Sequence, residues 1–86
     1  MTEKKMKTAK YFGAAWCGPC KNFKPIVNEV ANEGYSILYI DIDQSQDLAS
    51  QYGVRSVPSV VIEENGVEVD RIIGSVPKQQ LLERLM

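Results

Sequence analysis

Two thiols stand close together in this 86-residue chain, in Trp16-Cys17-Gly18-Pro19-Cys20, and there is no third cysteine. At that spacing the two sulfurs can meet at the first turn of a helix. A disulfide closing so short a loop removes little entropy from the unfolded chain, because a crosslink stabilises more as its loop lengthens. The pair therefore suits a bond that opens and closes rather than one that staples a fold. Zinc is the rival chemistry for a CxxC. It usually takes four ligands from Cys, His or carboxylate. The chain has no His, so a monomer would need two carboxylates to complete the set. No metal is expected.

The residues after the motif assign a role to each sulfur. Phe23, Ile26, Val27, Val30 and Ala31 recur at helical spacing and define a core face. At about 100° per residue, Cys20 lies roughly 50° from the middle of that face and Cys17 roughly 110°. Cys20 is expected to point inward and Cys17 to sit at the edge, by the helix start. A helix N-terminus carries unpaired N–H groups and a partial positive charge, which favour thiolate over thiol. The thiolate is the attacking form. Lys21 and Lys24 add positive charge nearby. Cys17 is thus expected to attack and Cys20 to resolve.

Composition narrows the classes. Eighty-six residues at 44% hydrophobic fit one small domain with a modest core, with residues 1–6 frayed. Ten basic residues nearly balance eleven acidic ones, but unevenly along the chain. Residues 1–28 hold six Lys and one Glu, a net of +5, and residues 29–86 carry a net of −6. No aromatic-interleaved basic motif accompanies the positive half, so it reads as a solvated tail and an electropositive rim, with no nucleic-acid partner. Met1 to Lys10 is polar and charged, without the apolar region of an export signal. No apolar run is long enough to span a membrane. Two cysteines in an unexported chain point to a reducing compartment, the cytoplasm, where disulfides are catalytic.

Elements must now position the thiols. Lys7 to Ala14 reads as a buried strand, with Tyr11 and Phe12 as strand formers. Small Ala14 and Ala15 fit a tight turn into a helix from about Cys17 to Asn32, which carries Pro25 inside it and stops at Gly34. Ser36 to Asp41 is a continuous apolar run, read as a strand buried on both faces. Strand, helix and strand make a right-handed crossover. Asp43 and Ser45 offer caps for a short helix through Gln51, ended by Gly53. Pro58 opens the run Val60-Val61-Ile62, as a proline at a strand start can. Asn65-Gly66 marks a hairpin into Val67–Ile73, with Val67, Val69 and Arg71 on one face. Ser75 and Pro77 start a last helix whose Leu81, Leu82 and Leu85 form an apolar face. The order is βαβαββα, an α/β fold.

These residues resemble the thioredoxin family over nearly the whole chain from about Lys7. WCGPC beside a βαβ pattern is the first match. Pro25 stands where the family has its helix-kinking proline, Val57-Pro58 resembles the family's residue and cis-proline facing the disulfide, and Ile73-Gly74 resembles the glycine after the last strand. The stretch Tyr52-Gly53-Val54-Arg55-Ser56-Val57-Pro58 is similar throughout. The resemblance implies a minimal thioredoxin fold, a four-stranded mixed sheet with helices on both faces. It also implies a docking surface of Trp16, Gly18, Pro19, Val57, Pro58 and Gly74 around Cys17, where Val57 offers main-chain groups to an extended substrate. Without the resemblance, Pro58 reads as a plain trans proline, Gly74 as a strand terminator and Trp16 as a half-exposed core aromatic.

Two departures stand out. Too few residues precede Tyr11 for the strand and helix with which most full-length members begin, so the chain looks like a short member. Tyr11 occupies the place of the family's buried Asp, and Tyr39 that of its partner Lys. A tyrosine, with an ordinary pKa near about 10, is a poor general base at neutral pH. The Asp's role is therefore transferred to no residue. The paired change reads as a charge pair exchanged for aromatic packing, and Cys20 deprotonation is expected to rely on water, on the mixed-disulfide environment or on a substrate group.

The function that follows is a thiol–disulfide oxidoreductase reducing protein disulfides through a Cys17–Cys20 dithiol cycle. It is expected to act as a monomer with no bound cofactor, recycled by a thioredoxin-reductase-like flavoprotein or a glutathione system. Two alternatives stand beside it. One is a glutathione-coupled, glutaredoxin-like reductase, favoured by small size and the missing Asp but not by the Gly-Pro dipeptide. The other is a non-catalytic binding subunit of a larger complex, its cysteines idle.

Overall fold

The computed structural model describes residues 7–86, so the expectation of a frayed stretch at 1–6 lies outside the described residues. Seven elements follow in order: β1 (Lys7–Gly13), α1 (Gly18–Asn32), β2 (Ser36–Asp41), α2 (Gln46–Gln51), β3 (Ser59–Glu64), β4 (Val67–Ile73) and α3 (Lys78–Leu85). The strands form one mixed sheet in the order β2-β1-β3-β4. β1 pairs parallel with β2 and antiparallel with β3, and β3 pairs antiparallel with β4. The connections explain the directions. A helix crossover returns β2 parallel to β1, whereas the tight Asn65-Gly66 turn reverses β3 into β4. Both turn residues take positive φ, 56° and 82°, as a two-residue hairpin requires.

Alternation along β1 divides the core in two. Ala9 and Tyr11 face α1 and α3, where they pack with Phe23, Val27, Val30, Leu81 and Leu85. Phe12 faces the other way and packs with Ile40 and Val61, under Leu48 and Tyr52 of the α2 segment. Helices thus cover both faces of the sheet.

Three local expectations need correction. Ser36–Asp41 is an edge strand rather than one buried on both faces, with Leu38 54% and Tyr39 39% exposed. The doubly buried run is β3, whose Ser59 to Glu63 are all buried, because it lies between two strands and under two helix layers. In β4 a register shift opposite Ile62/Glu63 pairs Glu68 with Glu63 and Asp70 with Ile62. The extra residue, Val69, breaks the alternation, so Val67, Val69 and Arg71 do not share a face. Finally, Ser45 is the N-cap of α2 but makes no side-chain cap bond, and Asp43 lies outside the helix.

Candidate active site

α1 starts at Gly18, and Cys17 is its N-cap with extended backbone, φ −84° and ψ 114°. Its Sγ accepts the Cys20 backbone N–H at 3.1 Å, filling the place a capping oxygen usually takes. Its own N–H donates to the Ala14 carbonyl at 3.2 Å, which turns the chain from β1 into α1. Pro19 sits in the first turn, where a missing N–H leaves no helical bond unmade. The two cysteines are disulfide-bonded, with Cα atoms 5.3 Å apart.

Both sulfurs are covered. Cys17 is 3% exposed and Cys20 5%, so Cys17 does not stand out at the helix edge as expected. Helical angles do not apply to Cys17, because as N-cap it precedes the helix and its side chain turns back over the first turn. Trp16, Gly18 and Pro19 around it are exposed.

Strand register gathers the other expected residues at the same end of the sheet. Phe12 pairs with Ser59 and Ser59 with Ile73, so Pro58 and Gly74 lie one step beyond, beside the end of β1 that leads to Cys17. Gly74 N–H donates to the Pro58 carbonyl at 2.8 Å, extending the ladder to that step. The Val57–Pro58 peptide bond is cis. Pro58 is buried, while Val57 is half-buried and packs against the Phe12–Ile40–Val61 cluster. Gly74 has φ 93°, and a Cβ there would meet nothing within 4 Å. Its backbone conformation, not crowding, is what calls for glycine.

Asp43 belongs to this end too. Its carboxylate accepts the Trp16 indole N–H at 2.9 Å, and its own N–H donates to Asp41. Sequence reasoning placed Asp43 as a helix cap. The bond joins residues 27 apart, and no local pattern signals such a pair.

Behind Cys20, the Tyr11 ring lies 5.8 Å from the Tyr39 ring, edge to face, and 6.1 Å from Phe23. Burial, helped by Tyr39, pushes the Tyr11 hydroxyl above its ordinary pKa, so it is a neutral phenol near neutrality. Tyr39 donates to Asn28 Oδ1 at 2.6 Å, and Lys24 Nζ lies 5.7 Å from the centre of its ring. Among the described residues, no group of three or more His, Cys, Asp or Glu is placed to hold a metal ion.

The thioredoxin family profile matches residues 2–86. The chain belongs to the thioredoxin family. It is 42% identical over 77 residues to thioredoxin 1 of Nostoc sp., covering 86% of this chain and 72% of that protein. It is 41% identical over 76 residues to the thioredoxin of Mycoplasmoides gallisepticum, covering 86% and 76%. Among solved structures, a mutant thioredoxin from Halobacterium salinarum superposes with a TM-score of 0.88 at 34% identity, over 93% of this chain and 72% of that one. Fasciola hepatica thioredoxin gives 0.86 at 34% identity, over 95% and 80%. As a thioredoxin-family protein with Cys17 and Cys20 in the CxxC position, the chain is a thiol–disulfide oxidoreductase. Tyr11 packs in the core, and Tyr39, exposed on edge strand β2, meets its ring edge to face.

Proposed function

We propose that Cys17 is the attacking thiol and Cys20 the resolving one, in a domain that reduces protein disulfides. The observation that carries this reading is the position of Cys17 Sγ at the N-terminus of α1, where it accepts the Cys20 N–H. An N–H donor and the positive end of a helix both stabilise a sulfur anion, and neither is offered to Cys20 in the same way. Reduced Cys17 attacks a substrate disulfide. Cys20 then attacks Cys17, releasing the reduced substrate and closing the Cys17–Cys20 bond.

The docking surface is Trp16, Gly18, Pro19, Val57, Pro58 and Gly74, which share one end of the sheet. An extended substrate segment lies beside Val57, whose main chain precedes β3. The domain works as a monomer without a bound cofactor, in a reducing compartment such as the cytoplasm. A thioredoxin-reductase-like flavoprotein recycles it. Turnover with that flavoprotein against turnover with glutathione separates the two recycling routes.

The test is trapping. Cys20→Ser incubated with insulin should accumulate a mixed disulfide through Cys17, visible by mass and cleared by dithiothreitol. Cys17→Ser should accumulate none. Equal trapping by both variants, or trapping only through Cys20, would overturn the assignment.

A further inference from the structure

A cleft of about 380 Å³ lies between α1 and β2, beside Cys20. Tyr11, Cys20 and Ile40, all buried, line its inner side, where the Tyr11 hydroxyl has no hydrogen-bond partner. Its charged groups are Lys21 and Lys24 from α1, both exposed, and Asp41 from β2, half-buried. The two lysines are three residues apart and so share a face of the helix. Lys24 Nζ lies 5.7 Å from the centre of the Tyr39 ring, which lines the same cleft.

Elsewhere on the surface the cations are occupied. Lys10, Arg71, Lys78 and Arg84 each hold an ion pair with a carboxylate. Lys7 donates to two backbone carbonyls at the end of the chain. Among the described residues, the cations whose charged groups have neither an ion pair nor a hydrogen bond are Lys21, Lys24 and Arg55, and all three are exposed. They border one site. Lys21 follows Cys20, Lys24 stands one turn further along α1, and Arg55 lies two residues before Val57. The carboxylates near them are engaged with other groups. Asp43 accepts the Trp16 indole N–H, and Asp41 accepts the Asp43 N–H.

We propose that Lys21, Lys24 and Arg55 select the substrate by charge, so that the preferred substrate is a disulfide lying in an acidic segment of a protein. The proposal rests on the reading that Cys17 attacks a docked disulfide. An incoming carboxylate breaks no ion pair to reach these three side chains. Opposite charge around a binding surface speeds encounter and rejects partners of the same sign. Asp41, in the same cleft, opposes the lysines and sets a limit to the preference.

Three synthetic peptides test this. Each is closed by one internal disulfide, and they differ only in the residues outside the two cysteines, which are Glu, Gln or Lys. The rate at which the reduced protein opens each peptide is read by acid quench and mass. The ratio of the Glu rate to the Lys rate cancels any change in Cys17 reactivity. Comparing that ratio between the wild type and a variant cancels the peptides' own reactivity. At low salt the double variant Lys21→Gln, Lys24→Gln should lower the ratio about tenfold, within the range that electrostatic steering supplies. Arg55→Gln should lower it several-fold, and Asp41→Asn should raise it. The Gln peptide should fall between the other two in every protein. In 1 M salt, where the screening length is about 3 Å, the ratios should converge. Lys21 and Lys24 are exposed, so the double variant should fold, and Asp41→Asn gives a change of opposite sign that loss of structure would not. An equal ratio in wild type and double variant at low salt overturns the proposal. So does a lowered ratio that persists in 1 M salt, which would mean lost contacts instead of lost charge. The underlying reading is checked separately with the same peptides. Trapping through Cys20 in Cys17→Ser, and none through Cys17 in Cys20→Ser, would overturn the assignment of the attacking thiol whatever the charge ratio.

Discussion

Trp16 Nε1 donates to Asp43 Oδ2 at 2.9 Å, tying the residue before Cys17 to the loop after β2. The bond fixes a ring that is otherwise 66% exposed. A large aromatic held outward beside a reactive sulfur gives a partner apolar area without the entropy of ordering it on binding. Asp43→Ala should free the indole. Because Trp16 is the sole tryptophan, its fluorescence anisotropy reports this directly and should fall. Stability should drop by only about 0.5–1.5 kcal/mol, the usual net worth of one hydrogen bond. The KM for a disulfide-bonded protein should rise more than kcat falls. Unchanged anisotropy would mean that packing, not Asp43, orients the ring.

Gly18 and Gly74 make a matched pair of tests. A Cβ on either meets nothing within 4 Å, but only Gly74 has positive φ, 93°. Gly74→Ala should therefore lose about 1–2 kcal/mol of stability from backbone strain. Gly18→Ala lies in the first turn of α1 and should hold or gain up to about 1 kcal/mol, since alanine favours helix. If Gly18 is part of the docking surface, the added methyl should still raise the KM for insulin several-fold while the reaction with dithiobis-nitrobenzoate stays the same. A Gly18→Ala protein that reduces insulin like the wild type would remove Gly18 from that surface.

How far the sequence carried depended on whether the deciding contact was local. The core face of α1 was legible, because Phe23, Val27 and Val30 repeat at helical period and all three are buried. The hairpin was legible from Asn65-Gly66, a pair whose backbone preference acts within two residues. Choosing between two apolar runs was not. Ser36–Asp41 read as the strand buried on both faces and Val60-Val61-Ile62 only as an apolar run opened by Pro58, and pairing with β4 is what makes the second central and leaves the first at an edge. The bulge at Val69 was hidden for the same reason, since it exists only against β3. At the site, the cysteine spacing and the glycine and proline matches were legible. The Trp16–Asp43 bond and the unpaired Tyr11 hydroxyl were not, because both arise from chain segments meeting in space.

Gly13 is a glycine for packing reasons. Its Cβ would stand 3.0 Å from Tyr11 Cε2 and Oη and 3.2 Å from Cζ. Phe23 and Tyr39 flank the ring, with centroids 6.1 and 5.8 Å away. Gly13→Ala should cost about 1–3 kcal/mol, the usual penalty of overfilling a packed core. Tyr11→Phe removes one of the crowded atoms, so the double variant should lose less than the sum of the two single losses. Urea denaturation of the four proteins tests this, and strict additivity would show that the strain is taken up by β1 instead of by the ring.

Glu63 is buried on the α2 face of the sheet, ion-paired to Lys10 and accepting the Tyr52 hydroxyl at 3.0 Å. The hydrogen bond from Lys10 holds the carboxyl below its ordinary range, against burial, which pushes it up. A carboxyl lowered in the folded state adds stability that is fully present above its unfolded pKa. That stability is lost as pH falls through the folded value. Lys10 is raised by the same bond, so its share is full below the unfolded lysine pKa and is lost only as alkaline pH passes the folded one. Stability from the pair should therefore be flat through neutrality and fall on the acid side. Glu63→Gln should be less stable at neutral pH by about 1–3 kcal/mol, the cost of weakening a buried charged hydrogen bond. Between about pH 5 and 3 the wild type should lose stability more steeply than the variant, narrowing the gap. Urea midpoints measured across that range decide it. Parallel curves would mean that Glu63 keeps the same pKa folded and unfolded, and that its bonds to Lys10 and Tyr52 only offset its burial.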